Sequence, residues 1–110
     1  MSFEVIATEN FEKKLKRLSK RYRSIRSDLL PIVEQLASKP FLGTPISKDC
    51  FKVRVGITSK GRGKSGGARL ITYVRYTKRR VFLLDIYDKS EQATLSNKEL
   101  SWLINLLSPA

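Results

Sequence analysis

The chain has no histidine, a single cysteine, one methionine and one tryptophan, and only 10 acidic residues among 110. Each shortage closes a route. Without histidine and with one thiol, a structural or catalytic zinc site lacks its usual ligands, so no metal or other cofactor is expected. A lone cysteine forbids an internal disulfide framework and suits a reducing compartment. Cys50 is read as a packed residue rather than a nucleophile. No apolar run approaches the ~18 residues of a membrane span. The run inside MSFEVIATENFEKK is too short for a signal peptide, so a soluble, cytoplasmic protein is expected.

What is abundant is positive charge. Lysine and arginine total 22, for a formal net charge of +12, and an excess of that size points to a polyanionic partner, of which nucleic acid is the commonest. Charge is also unevenly spread. From Lys52 to Arg80 there are ten basic residues and no acid. A length of 110 residues fits one domain spanning 1–110, and 41% hydrophobic residues are enough for one core.

Taken in order, Phe3 to Ala7 is a short apolar run that reads as a strand. Thr8 is a helix cap, and Phe11, Leu15, Leu18 and Tyr22 then recur on one helical face, opposite a basic face from Lys13 to Arg23. A second helix is expected from Ser27 or Asp28 through Ala37, which places Pro31 in the first turn. A start near Ser24 would put Pro31 inside the helix and kink it. Phe41 to Cys50 reads as loop. Phe51 to Ile57 alternates, with Phe51, Val53 and Val55 on one face and Lys52 and Arg54 on the other. Thr58 to Gly67 holds four of the six glycines and reads as a basic loop. Gly66 and Gly67 are read as a turn with positive φ. Ala68 to Tyr76 and Arg80 to Tyr87 form a hairpin around Lys78 and Arg79. Ser96 to Glu99 is a capping box for a last helix running to about Ser108.

The expected fold is therefore α+β, in the order β-α-α-β-β-β-α. Its antiparallel sheet has helices packed on one face, leaving the other face to Lys52, Arg54 and their neighbours. Such a surface suits RNA cleavage without a metal. The ribose 2′-hydroxyl is the nucleophile, and the protein must hold it in line, stabilise the pentavalent phosphorane and move two protons. Arginine grips phosphate oxygens by two-point contact, and lysine or tyrosine serves the proton transfers. Lys52, Arg54, Lys64, Arg69, Tyr87 and Lys89 supply those groups. The same set equally fits a passive phosphate-binding surface.

The string Gly63-Lys64-Ser65-Gly66-Gly67-Ala68-Arg69-Leu70-Ile71, followed by Ile86-Tyr87-Asp88-Lys89-Ser90-Glu91, resembles the RelE/HigB toxins of bacterial type II toxin–antitoxin systems, within the RelE/ParE superfamily. The resemblance covers nearly the whole chain. It implies a ribonuclease that cuts mRNA in the A site of the 70S ribosome, inhibits translation, and is held silent by a cognate antitoxin. On that resemblance Arg69 grips the scissile phosphate, Lys52 and Arg54 polarise or deprotonate the 2′-hydroxyl, Lys89 stabilises charge, and Tyr87 stacks on or orients a nucleotide. Lys60, Arg62, Lys64, Lys78 and Arg79 are cast as RNA-binding. Where the best-known relatives carry an arginine after that lysine and a tyrosine a few residues on, this chain has Ser90 and Thr94 or Leu95, so Tyr87 or Lys89 must move the proton. The antitoxin is expected to offer an acidic segment, and HigB-type relatives imply a helix-turn-helix domain on it. Two other readings stay open: a ParE-like gyrase inhibitor that cuts nothing, and an inactive nucleic-acid-binding relative.

Overall fold

A computed structural model describes residues 2–60 and 67–107. Strand β1 (Glu4–Ala7) leads into helices α1 (Glu9–Arg21) and α2 (Ile25–Ser38). Then come β2 (Thr44–Ser47), β3 (Cys50–Val55), β4 (Ala68–Arg75), β5 (Arg80–Asp88) and α3 (Asn97–Asn105). The sheet runs β1-β5-β4-β3-β2, antiparallel except that β1 lies parallel to β5. The α+β class and the element order are those expected, with β2 added at one edge. That strand had been read as loop because it is only four residues long and contains Pro45, which is tolerated on an edge.

Helix α1 begins where Thr8 accepts the Phe11 N–H at 3.3 Å and donates its hydroxyl to the Leu83 carbonyl at 2.7 Å. The cap thereby ties the helix start to β5. Phe11, Leu15 and Leu18 are buried with Val53, Val55, Leu70, Val81, Leu83 and Ile86, and each such side chain contributes ~1.5–3 kcal/mol. Helix α2 starts earlier than expected, so Pro31 sits inside it. Ile25, fully buried, draws the first turn onto the core. Pro31 is exposed, where the carbonyl it leaves unbonded can meet water. Asp28 is freed from the capping role expected of it and instead holds Thr58.

Helices α1 and α2 cover one sheet face. Helix α3 goes to the other, where Leu100 and Leu103 pack with Cys50, Ile71, Phe82, Leu84 and Tyr87. The face expected to lie free is thus partly roofed. The capping box at Ser96 and Glu99 forms as read, and the helix ends at Asn105 rather than near Ser108. No helix among the described residues is long and apolar enough to cross a membrane.

Candidate nucleic-acid interface

Strand register brings three of the expected residues into one row. Arg54 on β3 lies opposite Arg69 on β4, and Arg69 lies opposite Tyr87 on β5. Lys52 stands two residues along β3 on the same face, across from Ile71. Like charges facing each other across strands repel, and an anion between them relieves the repulsion. Arg54 is exposed, whereas Arg69 is 3% exposed and donates from Nη1 to its neighbour's carbonyl, Ala68 O, at 3.1 Å.

Tyr87 joins this row only because of a bulge. Ile71 pairs with Asp85 and Thr72 with Leu83, which leaves Leu84 as an extra residue in β5. Unbroken alternation from Val81 and Leu83 would have turned Tyr87 towards α1 and α2. The bulge exchanges the faces beyond it, so Ile86 meets α1 and Tyr87 meets α3. Helix α1 pins this point: Asn10 Nδ2 donates to Leu84 O at 2.9 Å, and Lys14 Nζ reaches the buried Asp85 carboxylate at 3.1 Å.

The Tyr87 hydroxyl is buried without a hydrogen bond. Burial raises its pKa, opposed by the Arg69 charge and by the Thr94 hydroxyl, which lies near without completing a bond. It is therefore a neutral phenol near pH 7 and cannot serve there as a base.

The end of β5 is held by a buried carboxylate that sequence reasoning passed over. Asp88, 1% exposed, accepts from Tyr22 Oη at 2.6 Å, Lys60 Nζ at 3.1 Å, Ser90 Oγ at 2.8 Å and Ser90 N at 3.0 Å. Burial alone would raise its pKa; the bonds from Tyr22, Ser90 and Lys60 outweigh burial and bring it well below the usual carboxylate range. Lys60, expected on RNA, is engaged here with Asp88 and lies over the Tyr22 ring at 5.2 Å. Asp28 accepts from the Thr58 N–H at 2.9 Å and the Thr58 hydroxyl at 2.6 Å, so the segment before the glycine loop is fixed to both helices. Burial alone would raise the Asp28 pKa as well, and these bonds with the one from Ser24 lower it on balance.

On the other side of that loop, Gly67 O accepts the Lys89 N–H at 3.1 Å, so Lys89 continues the ladder beyond Tyr87, with its side chain exposed. A Cβ on Gly67 would meet Val55 O at 2.1 Å. Close backbone approach, not the positive φ expected, is what requires glycine there. Arg62 and Lys64 lie outside the described residues. Glu91 pairs with Arg21 on α1. Lys78 and Arg79 are exposed at the hairpin turn, six residues along β4 from Arg69, or ~20 Å, and do not join the row. The Cys50 thiol is fully buried and burial pushes its pKa up to about 11, as a packing role requires.

The domain is thus an antiparallel α+β sheet with two helices on one face and, beside α3 on the other, an opposed arginine pair. The family model described as the RelE toxin of the RelE/RelB toxin–antitoxin system matches residues 11–108. The chain belongs to that RelE toxin family. Solved structures agree on the fold. An Escherichia coli RelE double mutant in the free state superposes with a TM-score of 0.63 at 19% identity, covering 98% of this chain and 100% of that one. The same mutant in complex with a peptide of the antitoxin RelB gives 0.62 at 17% identity, covering 100% and 99%. A conserved hypothetical protein from Helicobacter pylori gives 0.58 at 18%, covering 81% and 97%.

Proposed function

We propose that this chain is a translation-inhibiting endoribonuclease that cleaves mRNA at the ribosomal A site by attack of a ribose 2′-hydroxyl on the adjacent phosphate. The observation that carries the reading is the Arg54–Arg69–Tyr87 row, with Lys52 beside it. A phosphate at the exposed Arg54 guanidinium, with the buried Arg69 charge behind it, gains charge on its equatorial oxygens as the phosphorane forms, so the pair binds the transition state more strongly than the ground state. Lys52 polarises the 2′-hydroxyl, whose proton passes to solvent water as the O2′–P bond forms. Tyr87, buried beneath α3, holds the row in place, and the exposed Lys89 ammonium gives the departing 5′-oxygen its proton. No step needs a metal.

The net charge of +12 favours an acidic partner segment. The RelB peptide on the E. coli neighbour supports a cognate antitoxin as that partner, acting in the cytoplasm. The test is mRNA cleavage in a translating extract, wild type against Arg69→Ala, with 5′ ends mapped and melting curves recorded. Cuts in codon register that fall at least ~100-fold in the variant, about 2.7 kcal/mol of barrier, support the enzyme. A folded wild type that cuts nothing but stalls gyrase or only binds RNA sinks it.

A further inference from the structure

The hairpin end of the sheet, remote from the arginine row, carries a chain of aromatic rings. Phe3 lies 5.7 Å from Tyr76 between centroids, Tyr76 lies 6.1 Å from Phe41 at 17° between planes, and Phe41 lies 5.6 Å from Phe51. Burying these rings would be the ordinary use of them, yet Tyr76 is 63% exposed and Phe41 48%. Cations border them. Lys78 and Arg79 are exposed on the adjoining turn, and the Arg79 guanidinium sits 5.6 Å from the Phe3 ring centre. Arg79 adopts a left-handed backbone, φ 54°, a strained choice for a non-glycine residue that fixes this turn beside the rings.

We infer that the Phe41–Tyr76 surface is a second RNA site, one that stacks unpaired bases on its rings while Lys78 and Arg79 meet the flanking phosphates. Exposed rings edged by cations are the common means of holding single-stranded nucleic acid without sequence preference. A large exposed apolar patch more often meets protein. Here, however, the two exposed apolar groups are both rings, and the adjoining turn exposes Lys78 and Arg79, while the nearby Glu4 is paired with Arg80. The site lies ~20 Å from Arg69, the rise of six strand residues, so it binds RNA independently of the reacting phosphate. The inference rests on the reading that the chain handles RNA, but not on cleavage.

The probe is a fluorescein-labelled, fully 2′-O-methylated RNA twelve nucleotides long, which lacks the attacking hydroxyl, followed by anisotropy across a salt series. Tyr76→Leu is expected to weaken binding by about 5- to 100-fold, the loss of one base stack, with the salt slope unchanged. Tyr76→Trp should restore affinity, and Lys78→Ala with Arg79→Ala should flatten the salt slope by about 1.4. Wild-type affinity for Tyr76→Leu in a chain that melts normally overturns the site. So does equal weakening by Leu and Trp, or a wild-type chain that prefers an acidic leucine-rich peptide and loses that peptide through Tyr76→Leu. Arg54→Ala separates the two readings. If it abolishes cleavage while Tyr76→Leu leaves RNA binding intact, the second site alone fails. If wild type cuts nothing but Tyr76→Leu weakens binding, the ribonuclease reading alone fails.

Discussion

Two pairs of arginines face each other across β4, one at each end. At the hairpin end Arg75 pairs with Arg80, and their charges are already occupied. The Arg80 guanidinium lies 3.4 Å from Glu4, and Arg75 lies 5.2 Å from the Phe82 ring centre and 5.8 Å from that of Tyr73. At the other end Arg54 faces Arg69, with no acid on that row; its third member is Tyr87. The Asp88 carboxylate one residue on belongs to the opposite face, where it is taken by Tyr22, Lys60 and Ser90. Positive charge alone is therefore a poor guide to a site. What distinguishes the two ends is a carboxylate on the row itself: Glu4 stands beside Arg80, whereas the Arg54–Arg69 row carries Tyr87, and Asp85, two residues along β5, is bonded to Lys14.

The comparison breaks first at Asp88. Asp88→Ala removes the acceptor shared by Tyr22 Oη, Ser90 N, Ser90 Oγ and Lys60 Nζ, and breaking a buried network of this kind costs ~3–5 kcal/mol. Urea unfolding should show that loss. The same carboxylate shapes the acid limb. Its folded pKa lies below the ordinary value near ~3.9, so its contribution is complete above that value and fades as pH falls through it towards the folded pKa. Asp28, also lowered, adds to the same trend. Asp88→Asn should start from lower stability and lose less of it between about pH 5 and pH 2, read by midpoints across that range.

A smaller effect is expected at Gly67→Ala. The added methyl drives against Val55 O, in the row next to Arg54 and Arg69, and overpacking of this kind costs ~1–3 kcal/mol. Cleavage should fall by more than stability explains, because the strain parts the strands that set the arginine spacing. At the hairpin end, Arg80→Ala removes a half-exposed ion pair and should change stability by less than ~1 kcal/mol.

How much of this could be read from sequence differs by residue. The alternation of Phe51 to Val55 fixed which face held Lys52 and Arg54, and Thr8, Ser96 and Glu99 announced two helix starts. Arg69 was visible as an arginine entering a strand after glycines. The place of Tyr87 was not, because a bulge has no signature in the run Arg80 to Asp88, and a one-residue slip exchanges faces. Nor were the roles of Asp85 and Asp88 visible, since their partners Lys14 and Tyr22 lie 71 and 66 residues away. Helix α3 could be read as amphipathic, but amphipathicity does not say which sheet face it joins. The start of α2 was misplaced because Pro31 was weighed as a local signal, while the burial of Ile25 decided it.

The measurement that bears most directly on the central claim matches one arginine from each opposed pair. Arg54→Ala and Arg80→Ala remove the same charge from opposite ends of the sheet, and both would be assayed for mRNA cleavage in one translating extract. The arginine-row account predicts a loss of about 100-fold for Arg54→Ala, near 2.7 kcal/mol, and less than about 3-fold for Arg80→Ala. Equal losses in both variants would show that overall positive charge, and not the Arg54–Arg69–Tyr87 row, is what the reaction uses.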